Sequence, residues 1–98
     1  GPAAMMQAQQ PFVYKVGPWI EALPKIKASP NAPEQAVKKL ERLPTNTPIV
    51  VQTKVQLGDL QNNKYPLKSG LQAGDQVAIS NTSRLRTGMP VKVKSGDN

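Results

Sequence analysis

The sequence predicts a mainly β fold: a small antiparallel β-barrel or β-roll carrying one inserted short α-helix. Three observations lead there. Apolar residues alternate with polar ones in short runs, at Phe12/Tyr14/Val16, at Ile49/Val51/Thr53/Val55/Leu57, at Val77/Ile79 and at Val91/Val93. Between these runs lie Gly, Pro, Asn and Asp clusters that turn the chain. One longer stretch, Ala36/Val37/Leu40/Leu43, has helical rather than strand spacing.

The elements follow in order. Residues 1–4 read as a tag-cleavage scar or frayed start, 5–95 as the β-domain and 96–98 as a frayed tail, the whole an excised piece of a longer protein. Residues 11–16 form the first strand, stopped by Gly17-Pro18. Residues 18–46 form a helix-containing insertion punctuated by prolines. In it Trp19, Ile20 and Leu23 suit one helical turn laid on the sheet. Asn31-Ala32-Pro33-Glu34 then starts a helix over about Ala32–Leu43, with Asn31 as N-cap and Glu34 closing a capping box. Its apolar stripe is expected to dock through Val37 and Leu40 on the domain's own sheet, because an isolated helix this short is marginal in water. Pro44 ends it.

Residues 48–57 read as the cleanest strand, with Ile49, Val51, Thr53, Val55 and Leu57 on one face. Gly58-Asp59 is expected to turn the chain, Gln61-Asn62-Asn63 to loop, and Lys64–Lys68 to return as a short strand with Tyr65 and Leu67 inward. Pro66 confines that strand to an edge or a bulge. Next comes a turn built from Gly70, Leu71, Gly74 and Asp75: the glycines supply positive φ, Leu71 is expected to be buried, and Asp75 bonds nearby backbone N–H groups. It delivers the chain into a strand at 75–80. After a polar bend at 81–83, Leu85 plugs a barrel end, Gly88 turns the chain, and 89–94 closes the sheet.

Composition narrows the function classes. With no cysteine there is no disulfide or thiolate ligand, which fits an oxidising compartment. With no histidine the usual general base and commonest metal ligand are missing. Of six carboxylates, Asp59 and Asp75 sit beside turn glycines, where bonding the turn backbone is their expected role. The chain is expected to be no enzyme and to carry no cofactor or metal. Thirteen Lys and Arg against six acids give a net charge of +7, which favours an acidic partner: nucleic acid, anionic lipid or an acidic protein face. The basic residues are scattered and aromatics are few, so nucleic acid is disfavoured. No run approaches the roughly 20 apolar residues that cross a bilayer.

Gly70-Leu71-Gln72-Ala73-Gly74-Asp75, leading into Val77 and Ile79, and Gly88-Met89-Pro90-Val91-Lys92-Val93 together resemble the C-terminal membrane-proximal domain of the periplasmic adaptor (membrane fusion protein) family. The resemblance runs from about Pro48 to Lys94, including Val55-Gln56-Leu57-Gly58, and Gln10–Val16 looks like an earlier strand of the same domain. The segment between Val16 and Thr47 departs from the family pattern. The resemblance implies a non-catalytic module in the periplasm at the inner membrane. It would link an inner-membrane transporter of RND or ABC type to an outer-membrane channel in tripartite efflux or secretion, with neighbouring adaptor copies packed alongside. It also implies that a strand from far upstream completes the domain. Arg84 and Arg86, flanking Leu85, and Lys92 and Lys94, on the outward face of the last strand, are the candidates for contact with acidic transporter or lipid groups. PDZ domains share the Gly-Leu-x-x-Gly-Asp turn, so a peptide-binding module is the alternative, although neither the upstream Gly-rich carboxylate loop nor the following helix is visible. A small basic barrel binding nucleic acid is the other alternative.

Overall fold

The computed structural model describes residues 10–29, 34–80 and 82–94. The expected scar at 1–4, Met5-Met6, the Asn31–Pro33 part of the capping box, Asn81 and the tail from Ser95 lie outside the described residues.

Strand β1 (Phe12–Pro18) pairs antiparallel with β2 (Pro48–Lys54) along its whole length, from Phe12 opposite Lys54 to Pro18 opposite Pro48. On its other side it pairs with β5 (Gln76–Val77), Lys15 opposite Val77. The sheet order is therefore β2-β1-β5. A second, two-stranded sheet is formed by β3 (Gln56–Leu57) and β4 (Leu67–Ser69). All pairings are antiparallel, and the mainly β class holds.

The sheet stays open instead of closing into a barrel. Two things prevent closure. The edge strand β5 is only two residues long, and Ile79, expected inside on a strand at 75–80, is 90% exposed. The other edge of β2 is occupied by residues 88–91: Gly88 N–H donates to the Val50 carbonyl (2.8 Å), Val50 N–H to Met89 (3.1 Å) and Val91 N–H to Pro48 (3.0 Å). Gln52 N–H, next along, is satisfied by Thr87 Oγ1 at 3.0 Å. Pairing there ends with Val91, so the expected closing strand at 89–94 is short and Lys92 and Lys94 lie beyond it.

Helices cover the apolar face that a barrel would have folded inward. Segment 18–46 holds two helices, α1 (Trp19–Ala28) and α2 (Glu34–Leu40), where one turn and one longer helix were expected. Helix α1 runs through Pro24, which has no N–H to give the preceding turn. Burial of Trp19 and Ile26 on either side offsets that loss. Helix α2 ends early because its last turn tightens: Arg42 and Leu43 N–H bond to the carbonyls three residues back, ahead of Pro44. Trp19, Ile26, Leu40 and Ile49 form one buried cluster, with Ala22, Leu23, Val37, Leu43 and Val51 packed against it. The α2 stripe thus enters the domain's own core, but it packs mainly on α1 and reaches the sheet only through the cluster at Ile49, whereas direct docking on the sheet was expected. Trp19 Nε1–H donates to the carbonyls of Pro44 (2.8 Å) and Leu43 (3.3 Å), tying the start of α1 to the end of the α2 turn. Both faces of β2 are buried at its start, since Val50 is as covered as Ile49, whereas Leu57 is exposed.

The chain turns at Asn62-Asn63, not at Gly58-Asp59. Asn62 (φ 51°) and Asn63 (φ 63°) lie in the left-handed region, and Gln61 and Lys64 exchange two backbone bonds of 2.8 Å across them. This is the two-residue hairpin geometry in which Asn is among the few residues tolerated at positive φ. Gly58 N–H reaches the Pro66 carbonyl at 2.7 Å, so 58–61 is the outgoing arm of the hairpin. Tyr65 and Leu67, expected inward, are exposed because, among the described residues, no helix or sheet packs over this ribbon.

Candidate functional site

The Gly70–Asp75 turn places the start of β5. Gly70 (φ 113°) and Gly74 (φ 91°) adopt the positive φ expected of them. They do so under different constraints. A Cβ on Gly70 would lie 2.5 Å from the Lys54 carbonyl oxygen, where the chain leaves β2, whereas a Cβ on Gly74 would meet nothing within 4 Å. Leu71 is half-buried where full burial was expected. Asp75 closes the turn: Gln72 N–H donates to its Oδ2 at 2.8 Å, and its own N–H donates to the Gln72 carbonyl at 3.0 Å. The Gln72 bond, aided by the Lys15 ammonium at 3.5 Å, holds its carboxyl below the ordinary value. Lys15–Asp75 is the one ion pair among the described residues.

Arg84 ends a 3₁₀ turn (Thr82–Arg84) that Leu85 N–H closes on the Thr82 carbonyl at 3.2 Å. Leu85 is half-buried, and its carbonyl accepts the Tyr14 hydroxyl at 3.0 Å. That bond, from the middle of the sheet, fixes the backbone between the two arginines. Met89 N–H bonds to the Arg86 carbonyl (3.0 Å), and Gly88 (φ 92°) completes the turn against Ile26. Both arginines are exposed. Lys92 and Lys94 are exposed too, but elsewhere. Thr87 meets β2 at Gln52, and Val91 meets it at Pro48. Four strand residues separate those levels, about 13 Å. The four cations form two pairs at opposite ends of β2, the arginine pair tied to the sheet and the lysine pair trailing from it.

Two features escaped sequence reasoning. A shallow cleft of about 90 Å³ lies between β1 and α1, bounded by Lys15, Glu21, Lys25 and Thr53. Its charged residues come from the β1–α1 stretch, and Thr53 joins them through the β1–β2 register, which sets it opposite Val13. The other is the exposed apolar hairpin between β3 and β4. Its residues alternate like those of any half-buried strand, and no sequence signal distinguishes a strand with a partner layer from one without.

No known family model matches the chain, and neither a curated protein nor a solved structure is found to be similar to it.

Proposed function

We propose that the chain is a non-catalytic membrane-proximal module of a periplasmic adaptor, holding surface residues against an inner-membrane transporter in a tripartite efflux or secretion assembly. The observation that carries the reading is the Tyr14–Leu85 bond, which anchors the backbone between two exposed arginines, Arg84 and Arg86. A planar guanidinium can engage a carboxylate through two parallel bonds, and a fixed backbone lowers the entropy lost when it does so. The two glycine turns of the adaptor-like motif support the same reading, since Gly70–Asp75 leads into β5 at one edge and Gly88–Pro90 runs along β2 at the other. Lys92 and Lys94, beyond the paired part of the last segment, are weaker candidates for a specific contact.

The test is made in the longer adaptor that the reading requires. Reversing both charges (Arg84→Glu with Arg86→Glu) should lower export and cross-linking to the transporter while leaving abundance and fold unchanged. Unchanged export and cross-linking from a folded double variant would defeat the reading.

A further inference from the structure

The β3–β4 hairpin keeps its large apolar side chains outside the core. Residues 59–70 are exposed throughout, with Leu60 at 54%, Tyr65 at 60% and Leu67 at 43%. Leu57 and Leu67 stand opposite one another in the ladder, and Leu60 and Tyr65 each lie one residue back from the Gln61–Lys64 bridge that closes the tip. The tip is held by two backbone bonds across a two-residue turn, so these side chains ride on an ordered ribbon. Lys64 and Lys68 interleave with Tyr65 and Leu67 on the return arm, and Asp59 is the single acid between Gln56 and Ser69.

We propose that this hairpin docks tip-first on an anionic phospholipid surface. Leu60 and Tyr65 enter the boundary between headgroups and acyl chains, and Lys64 and Lys68 meet lipid phosphates. Charge complementarity selects this occupant, because a chain of net charge +7 sets Leu60 and Tyr65 directly behind a polar tip that ends in Lys64, with Lys68 further along the return arm. Lysine stems lie along apolar surface while the ammonium stays in water, and tyrosine suits the same boundary with its apolar ring and polar hydroxyl. A ribbon two strands wide, about 5 Å between strands, brings both of its sides into the headgroup layer on tip-first entry. A nucleic-acid strand fits less well: stacking needs aromatic faces, and between Gln56 and Ser69 there is one aromatic among three leucines. The proposal is independent of the adaptor reading, since binding to lipid requires no transporter.

The test uses the chain as it stands, sedimented with vesicles of phosphatidylcholine alone or containing one third phosphatidylglycerol. Binding is expected to the anionic vesicles and to weaken with salt. Lys64→Gln with Lys68→Gln should reduce it about 25-fold, at roughly fivefold per lysine. Leu60→Ser with Tyr65→Ser should reduce it by at least about tenfold through lost apolar burial, with circular dichroism unchanged. Tyr65→Trp should give fluorescence quenched by lipids brominated in their acyl chains, while buried Trp19 should not respond. No binding to anionic vesicles would overturn the proposal. So would binding indifferent to the Leu60/Tyr65 pair, which would mark a general cationic attraction, or binding to a single-stranded oligonucleotide but not to vesicles.

Discussion

Replacing Gly70 by alanine should damage this protein more than replacing Gly74, although both glycines hold positive φ in the same turn. At either position an L-residue in a sparsely populated backbone region costs about 1–3 kcal/mol. Restricting the unfolded chain returns about 0.4–1 kcal/mol. Gly74→Ala ends there, because its new Cβ would touch nothing within 4 Å. At Gly70 the Cβ would sit 2.5 Å from the Lys54 oxygen and 2.9 Å from both Cα and Cγ1 of Val55. Two of those three atoms are backbone, so the main chain must move, and Val55 is itself buried. Overpacking of this kind adds about 1–3 kcal/mol. With about 4–8 °C of melting temperature per kcal/mol for a domain of this size, Gly70→Ala should melt several degrees to about 20 °C below Gly74→Ala. Urea titration followed by Trp19 fluorescence gives the same comparison as midpoints. Equal midpoints would refute the reasoning, for they would mean that the close approach of the turn to Lys54–Val55 carries no energetic weight.

Two further outcomes follow from the core and the turn. Ile26→Ala, at a fully buried position in the cluster that joins α1 to β2, should cost about 2–5 kcal/mol, read as a lower urea midpoint; a loss below about 0.5 kcal/mol would mean that the helices are not part of the core. The Gln72 N–H bond holds the folded-state pKa of Asp75 below its ordinary 3.8, so the stability it contributes is present above that pH and is lost as pH falls through the lower folded value. Asp75→Asn should flatten that acid-side slope, as measured by melting at a series of pH values, and an unchanged slope would assign it to other carboxylates.

The residues themselves carried the local geometry. The strands around Phe12–Val16 and Pro48–Lys54 were legible because β-branched and aromatic residues alternate there between proline and glycine stops. Positive φ at Gly70 and Gly74 and the turn bonds of Asp75 were legible because each depends on neighbours within a few residues. The α2 stripe was visible in its period, though its C-terminal tightening was not. What decided the architecture was long-range. The face of β2 bearing Ile49 and Val51 could have been covered by another strand or by helices, and an apolar face has no preference beyond being covered. Helices α1 and α2 took that place, and the sheet remained open. The same non-directional force left the hairpin uncovered, because alternation says which side chains share a face and not whether anything packs on it. The candidate site divides likewise. Arg84 and Arg86 could be chosen from their place beside Leu85, but the Tyr14 bond that fixes them, and the separation that sets Lys92 and Lys94 apart, exist only once β1, β2 and residues 87–91 lie side by side.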